Sequence, residues 1–210
     1  MPLPKLLLFD LDGVLVDYSQ DRRCRALAET AGVTAEVIHR AVFKSGLEKR
    51  SDAGEFDLDD YMNLLRSDWG LDILGEDFIK ARRMATRVRP EMLKLCEALK
   101  TQVHLGIFTN NGHWLHQYAD RIAPELMPMF ATRWVCSGSI ALCKPDPMAF
   151  VACLERLGFS AASTLFVDDK VGNTEGAESI GMPSFVFEST DQCIDQLRQR
   201  GFNTGDFNAP

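Results

Sequence analysis

Acidic, hydroxyl, amide and cationic side chains stand directly after apolar runs at four places in the chain. After the first run, Asp10 and Asp12 are separated by one residue and followed by Gly13, which lets the backbone turn sharply because it has no Cβ. Both carboxylates can therefore reach one site, as a catalytic acid pair must. Two acids after a strand are also common as loop polarity or as helix caps, so the pair alone leaves both roles open.

The second and third places carry groups that suit an anionic ligand. Thr109 and Asn110 follow an apolar run, and a hydroxyl and an amide can bind phosphoryl oxygens there without adding negative charge. Lys144 places a cation just before a helix that begins at proline. Each has a plainer interpretation, because Thr109 and Asn110 suit a turn or an N-cap and Lys144 suits a solvated surface.

The fourth place is a pair of adjacent acids. Asp168 and Asp169 end a buried apolar run, and Asn173 follows in the first turn of the next helix. Adjacent carboxylates repel each other unless a cation or hydrogen bonds offset their charge. A hard divalent metal, which prefers oxygen ligands, accounts for the pair.

The elements that must position these groups follow a β-α-β pattern. Continuous apolar runs predict strands buried on both faces, as in a parallel sheet. These runs are residues 5–10, 103–109, 164–169 and 184–187. The helical segments between them include residues 90–100, 145–157 and 173–180. An α/β fold with an open, doubly wound sheet follows, and ligands of such sheets bind at the carboxyl ends of the strands, where Asp10, Thr109 and Asp169 fall.

Residues 18–87 interrupt this alternation. They show helical periodicity, with Cys24 and Leu27 among the recurring apolar positions, and they contain no convincing strand. Thr34 and Asp57 are candidate N-caps of two further helices. The expected organisation is a catalytic core of residues 1–17 and 88–210 with an inserted helical cap of residues 18–87.

Taken in order, the segments FDLDGVLVD, IFTNNG, KPDP and FVDDKVGN resemble the four motifs of the haloacid dehalogenase superfamily. The resemblance covers the whole chain, and the insertion is similar to the cap of the subgroup that includes sugar-phosphate phosphatases and the phosphatase domain of soluble epoxide hydrolase. It implies a Rossmann-like core and a phosphohydrolase that forms an aspartyl-phosphate. The implied cofactor is Mg²⁺, and the implied substrate is a small phosphorylated metabolite.

The resemblance also implies catalytic roles for individual residues. Asp10 matches the nucleophile, and Asp12 matches the general acid and base. Thr109 and Asn110 match the pair that binds the phosphoryl group. Lys144 matches the lysine that stabilises the charged intermediate.

The same resemblance implies a set of metal ligands. The Mg²⁺ ligands are the Asp10 carboxylate, the backbone carbonyl of Asp12 and the carboxylate of Asp169. Asp168 either supports them as a further ligand or contacts a ligand without touching the metal. Asn173 stands where many relatives carry a second acid, so we expect it to orient a metal-bound water.

The composition suits an enzyme that acts on small molecules. The net charge is −7, the hydrophobic share is 46% and the charged share is 25%, and no basic patch invites nucleic acid. Because an acidic surface repels phosphorylated substrates, the phosphate site must supply local positive charge. The six dispersed cysteines form no C-x-x-C pair and no secretion signal precedes them. No apolar stretch reaches the ~18 residues of a membrane span, so we expect a cytoplasmic protein; the sequence does not indicate its oligomeric state.

Three other functions are weighed against phosphate-ester hydrolysis. A 2-haloacid dehalogenase uses the same nucleophile on carbon and needs no metal. A phosphoryl-accepting signalling receiver combines similar groups, but its acceptor follows a later strand and no helical cap intervenes. A non-catalytic phosphate-binding module is compatible with the binding groups, although all the matching catalytic positions are filled.

Several other residues invite a functional interpretation. We interpret His113 and His116 as part of a polar helix face, because two histidines without a third ligand do not define a metal site. We expect the three tryptophans to pack against other side chains, as buried aromatics usually do. They are Trp69, Trp114 and Trp134. The candidate contacts of the cap with a polar or anionic substrate tail are Lys44, Lys49 and Arg50.

Overall fold

The computed structural model describes residues 3–205, which form a parallel sheet with flanking helices and a group of inserted helices. The strands in chain order are β1 (Leu6–Phe9), β2 (Val16–Tyr18), β3 (Thr86–Val88), β4 (His104–Thr109), β5 (Trp134–Cys136), β6 (Thr164–Asp168) and β7 (Ser184–Val186). The main sheet has the order β5-β4-β1-β6-β7, and every neighbouring pair in it is parallel. The predicted α/β fold with a doubly wound parallel sheet is confirmed.

The first strand lies at the centre of this sheet. Leu8 of β1 pairs with Gly106 of β4 on one side and with Phe166 of β6 on the other. All of β1 is buried, which explains its continuous apolar sequence. Because β1, β4 and β6 are parallel neighbours, the residues that follow them emerge at one edge of the sheet.

The α-helices in chain order are α1 (Gln20–Ala31), α2 (Ala35–His39), α3 (Leu47–Asp52), α4 (Leu58–Trp69), α5 (Gly75–Ala85), α6 (Pro90–Leu99), α7 (Trp114–Gln117), α8 (Ala119–Ile122), α9 (Met127–Phe130), α10 (Pro147–Leu157), α11 (Val171–Glu178) and α12 (Thr190–Gln199). A π-helical turn, Arg40–Lys44, continues α2. Within residues 3–205, no helix combines the length and the apolar character that a bilayer crossing requires.

Two of the predicted details concern helix starts. Asp57 caps α4 as expected, because its carboxylate accepts a hydrogen bond from the backbone nitrogen of Asp60 at 2.9 Å. Thr34 occupies the N-cap position of α2 but makes no side-chain hydrogen bond there. The sequence therefore located the starts of both helices, but only Asp57 makes the capping hydrogen bond that we expected.

The two segments that lead into and out of the inserted helices pair with each other. In this small antiparallel sheet, Val16 of β2 pairs with Val88 of β3, and Tyr18 pairs with Thr86. Our expectation that residues 18–87 contain no strand is therefore wrong at both ends of that range. Strands of three residues are too short to show an alternating pattern of apolar and polar positions. We did not predict β5 from the sequence for the same reason. The boundaries of the cap stay a prediction.

The inserted helices pack directly on loops of the core. The Ser137 hydroxyl donates to the backbone carbonyl of Asp52 at the end of α3 (2.7 Å), and the Trp114 indole donates to the Ser51 hydroxyl (3.2 Å). Gly54 approaches the core so closely that a Cβ there would lie 2.5 Å from the carbonyl oxygen of Gly138. The end of α3 therefore covers the loops that follow β4 and β5.

An ion pair is buried among the inserted helices. Arg23 of α1 is fully buried, and its Nη1 lies 2.5 Å from Oε1 of Glu48 of α3. The Tyr61 hydroxyl of α4 donates to the other Glu48 oxygen at 2.8 Å. The Arg23 guanidinium also lies over the Phe78 ring, 4.5 Å from its centroid. Glu48 thus joins α1, α3 and α4, because a buried guanidinium is tolerated only while its carboxylate partner is present.

Replacing Glu48 with Ala should lower the free energy of unfolding by about 3–5 kcal/mol, because it leaves the buried Arg23 guanidinium without a counterion. Glu55→Ala is the matched control, since Glu55 pairs with Arg50 and both side chains are 49% exposed. That pair should contribute less than about 1 kcal/mol. Urea unfolding of both variants measures the difference, and equal losses would contradict the structural role of the buried pair.

Candidate active site

Asp10 follows β1 and lies at the floor of a polar site. Only 3% of Asp10 is exposed, and the backbone nitrogen of Leu11 donates to its Oδ1 at 2.7 Å. Gly13 has a φ of 94°, and a Cβ there would overlap the carboxylate of Asp169. Glycine is therefore required at this turn for its backbone conformation and for the close approach of the loop that follows β6.

Lys144 reaches into the same site from the loop before α10. Its Nζ lies 3.0 Å from Oδ1 of Asp10 and 2.6 Å from Oδ2 of Asp168, and it donates to the Phe108 carbonyl at 2.9 Å. The ammonium group is almost fully buried, so these three oxygens replace the water around it. The solvated surface position that we weighed for Lys144 is therefore wrong.

The buried ionisable groups shift one another's pKa. Burial raises the pKa of Asp10 to about 7; Lys144 opposes this rise, whereas Asp168 and Asp12 add to it. Burial lowers the pKa of Lys144, but Asp10 and Asp168 outweigh that effect and raise it overall. Lys144 is therefore charged at neutral pH and offsets part of the negative charge at the strand ends.

Asn110 fixes the loop that carries Lys144. Its Nδ2 donates to the backbone carbonyl of Lys144 at 2.8 Å, and its Oδ1 accepts from the backbone nitrogen of Lys144 at 2.9 Å. One hydrogen of the amide nitrogen is thus engaged with the backbone, and the second is available to a ligand. The role of Asn110 in binding the phosphoryl group stays a prediction.

Asp168, the last residue of β6, is fully buried among hydrogen-bond donors. Besides Lys144, the backbone nitrogen of Lys170 donates to its Oδ1 at 2.9 Å. The Asn173 amide nitrogen lies 2.9 Å from each of its oxygens. Asn173 therefore orients Asp168, and its expected contact with a metal-bound water stays a prediction.

Three carboxylates are close enough to share a cation. Asp10, Asp168 and Asp169 each offer an oxygen, and these oxygens lie within 4.8 Å of one another. A donor set made only of carboxylate oxygens fits Mg²⁺. Asp168 already accepts several hydrogen bonds, whereas Asp169 is exposed. This arrangement fits Asp169 as a ligand with Asp168 in support; the ligand assignment, including the Asp12 carbonyl, stays a prediction.

Asp12 faces a different set of partners. Nη2 of Arg82, in α5, lies 2.7 Å from Oδ1 and 2.8 Å from Oδ2 of Asp12. The Asn111 amide donates to Oδ2 of Asp12 at 3.2 Å and to the Thr109 hydroxyl at 2.8 Å. The structure thus brings the predicted residues Asp12 and Thr109 together through an asparagine that we did not single out.

Arg82 is the other member of the site that we did not single out. It lies on the buried side of α5 together with Phe78, Ala81 and Ala85, at the spacing of an apolar helix stripe. Arg23 occupies the equivalent kind of position in α1. An arginine inside an apolar stripe requires a buried counterion, and this signal in the sequence indicates both residues.

The remaining candidates lie outside this group of contacts. The His116 ring stacks on Trp134 with centroids 5.9 Å apart, and its Nε2 lies 3.2 Å from the carbonyl oxygen of Ala131. Trp114 and Trp134 are buried, in agreement with the packing role predicted for them. Arg50 pairs with Glu55, whereas Lys44 and Lys49 are exposed, and their contact with a substrate stays a prediction.

Comparison with known proteins identifies the family. The sequence profile of the haloacid dehalogenase-like hydrolases matches residues 4–181. The chain belongs to this family. A phosphoglycolate phosphatase from Pseudomonas syringae pv. tomato is 29% identical over 189 residues, which cover 86% of this chain and 68% of the relative.

Solved structures share the fold of this haloacid dehalogenase-like hydrolase. A HAD family enzyme from Bacteroides thetaiotaomicron, in complex with magnesium and inorganic phosphate, has a TM-score of 0.75 at 19% identity, over 88% of this chain and 94% of that one. An L-2-haloacid dehalogenase from Xanthobacter autotrophicus has a TM-score of 0.63 at 17% identity, over 96% of this chain and 85% of that one. Both phosphate-binding and dehalogenating proteins therefore have this fold, which by itself does not select the reaction.

Replacing Asp169 with Ala should weaken Mg²⁺ binding more than 100-fold, because it removes an expected ligand. Asn173→Ala should weaken Mg²⁺ binding only about 10-fold, because Asn173 contacts Asp168 and not the metal. Removing a residue that hydrogen-bonds to a metal ligand typically lowers metal affinity by about 10–100-fold. Isothermal titration of each variant with MgCl₂ measures both affinities. Equal losses would show that the ligands are assigned wrongly.

Proposed function

We propose that this hydrolase removes phosphate from a small phosphorylated metabolite, with Mg²⁺ as cofactor and an aspartyl-phosphate on Asp10 as intermediate. The observation that carries the proposal is the contrast between two carboxylates. Asp10 is buried beside Lys144, whereas Asp12 is held by Arg82 and Asn111. Two carboxylates in such different surroundings suit the two different tasks of nucleophile and proton carrier.

In the first step the Asp10 carboxylate attacks phosphorus. Leu11 and Lys144 both contact Oδ1, so we assign the attack to Oδ2. The bond between phosphorus and the ester oxygen breaks as the new bond to Oδ2 forms. Thr109 and Asn110 can donate hydrogen bonds to the phosphoryl oxygens, over which the negative charge is spread, and the nearby positive charge of Lys144 stabilises that charge electrostatically.

Attack of a carboxylate on a phosphate dianion requires that their charges be screened. Asp10, Asp169 and the carbonyl of Asp12, with the support of Asp168, would hold Mg²⁺, which would supply that screening and polarise the phosphoryl group. Lys144 contributes a fixed positive charge beside Asp10. The protein thereby creates the local positive charge that its overall net charge of −7 does not provide.

Asp12 carries the proton in both steps. It first protonates the ester oxygen, so that the leaving group departs as an alcohol and Asp12 becomes a carboxylate. It then takes a proton from a water molecule, whose oxygen attacks phosphorus and breaks the bond to Asp10. Inorganic phosphate leaves, and Asp10 is again a free carboxylate while Asp12 is again protonated.

The inserted helices support a small leaving group. Burial and the nearby carboxylate of Glu48 raise the pKa of Asp52, at the end of α3; Asp12 adds to this rise, whereas Arg23 and Arg82 oppose it. The contacts of Ser51 and Asp52 with the core close this side of the site. We infer that the inserted segment selects the leaving group and the core binds the phosphoryl group. We also propose a cytoplasmic location, which the dispersed cysteines support, since all six are free thiols.

The second candidate function is hydrolysis of a 2-haloacid. A halide leaves as a stable anion and needs no proton, so an acid two residues after the nucleophile would have no task in that reaction. A carboxylate substrate would also be repelled by Asp10 and Asp12 without a metal. The donors that hold Asp12 in place therefore favour the phosphatase.

Phosphate release from a broad panel of carboxylated, polyol and sugar phosphates should occur with at least one ester in the presence of Mg²⁺. It should stop in excess chelator and return when Mg²⁺ is restored, because Asp10, Asp168 and Asp169 concentrate negative charge where the substrate enters. Asp10→Asn is the control for contaminating activity. Release from no ester would favour a phosphate-binding module, and metal-independent halide release from 2-chloropropionate would favour the dehalogenase.

Asp12→Asn should slow the formation of the aspartyl-phosphate from an alkyl phosphate by about 10²–10⁴-fold, the usual contribution of a general acid. Formation from nitrophenyl phosphate should be slowed less, because nitrophenolate is a stable leaving group. Rapid-quench measurements on both esters test this difference. Equal losses on the two esters would remove Asp12 from the role of acid.

A further inference from the structure

We propose that Arg82 is the positioning residue of Asp12: the inserted segment supplies the group that holds the proton carrier of the core in place. This inference rests on the proposed function, because it concerns the part that Asp12 plays in it. Arg82 belongs to α5, whereas Asp12 belongs to the loop after β1, so the contact joins the two parts of the molecule. The proposed role is to fix the direction in which the carboxylate presents its oxygens to the leaving group.

The contact itself is close and shielded from solvent. Nη2 of Arg82 lies 2.7 and 2.8 Å from the two oxygens of Asp12, and the Arg82 side chain is 1% exposed. Hydrogen bonds in which the donor is ionised, as the Arg82 guanidinium is, are roughly twice as strong as those between neutral groups. Within residues 3–205, Asp12 is the one carboxylate that forms an ion pair with Arg82. Asp12 remains 23% exposed, so a substrate can still reach it.

Arg82 is held where it is by the two segments that connect the inserted helices to the core. The Tyr18 ring, at the end of β2, lies 3.8 Å from the guanidinium carbon of Arg82. The Thr86 hydroxyl, at the start of β3, donates to the carbonyl of Arg82 at 2.8 Å. Tyr18 and Thr86 are themselves paired in the small sheet. The guanidinium is therefore fixed against the base of the insertion, close to the core.

The loop that carries Asp12 is attached to the same small sheet. Asp12 forms a bridge with Val16, and Val16 pairs with Val88 of β3. Arg82 and Asp12 are thus each attached to the small β2–β3 sheet within a few residues of their own positions.

The carboxylate of Asp12 is held from two sides, and the contacts of the Arg82 guanidinium are concentrated on it. Nε of Arg82 is buried and has no hydrogen-bond partner among the described residues. On the other side, Asn111 donates to Oδ2 of Asp12, so the carboxylate is oriented from the insertion and from the core.

Arg82→Gln should therefore act only on steps in which Asp12 moves a proton. The formation of the aspartyl-phosphate should slow by about 10²-fold with an alkyl phosphate, a part of the full contribution of a general acid, and by less than about 3-fold with nitrophenyl phosphate. Arg82→Lys, which keeps the charge but loses the planar group, should fall between Arg82→Gln and the wild type. In Arg82→Ala, added guanidinium ion should restore part of the rate with the alkyl ester.

Arg83→Gln is the matched control, because Arg83 is the next residue on α5 and pairs with Glu125 at the surface. It should leave both rates unchanged. Asp12→Asn combined with Arg82→Gln, or with Arg82→Lys if the glutamine variant does not fold, should lose no more activity than Asp12→Asn alone, since Arg82 acts through Asp12.

Equal losses on the two esters, or an additional loss in the Asp12→Asn background, would overturn the positioning role. A wild-type enzyme that releases phosphate from neither ester would instead overturn the proposed function, and this inference with it. The two failures are distinguishable, because the first appears only in the Arg82 variants and the second appears in the unmodified protein.

Discussion

The buried contact of Lys144 with Asp10 and Asp168 is the interaction on which the rest of the site depends. A parallel sheet brings the ends of β1 and β6 side by side, and both ends carry carboxylates that repel each other when ionised. The ammonium group between them offsets this repulsion inside a nearly dry site. Asn110 and Asn173 serve that arrangement, since one holds the backbone of Lys144 and the other orients Asp168. The side-chain amides of Asn110 and Asn173 therefore also hold the charged groups Lys144 and Asp168 in place.

The molecule divides its chemistry between the sheet and the insertion. The core supplies Asp10, the proposed nucleophile, together with the buried cation Lys144 and the carboxylates suited to a metal. The insertion adds Arg82 above Asp12 and closes over the loops after β4 and β5. The proposed hydrolysis of a phosphate ester would use both parts, because the phosphoryl group and the leaving group lie on opposite sides of the bond that breaks.

Buried arginines give the insertion its internal order and its attachment to the site. Arg23 pairs with Glu48 inside the insertion, and Arg82 pairs with Asp12 across the boundary with the core. Each pair is strong only while both members are present, since an uncompensated buried charge is costly. A packing change among the inserted helices would therefore reach the site mainly through the β2 and β3 segments that anchor Arg82.

The sequence by itself indicated the parallel sheet, the ends of its strands β1, β4 and β6, and most residues of the candidate site. Apolar runs, the glycine after Asp12 and the four motifs are local patterns, and parallel neighbours place whatever follows them at one edge. Only the tertiary structure decided the contacts between distant segments. Arg82 and Asp12 are far apart in sequence, and β2 and β3 are too short to show a pattern until they pair. The partner of a buried charge depends on which helix faces which loop, and that packing is set by the whole fold.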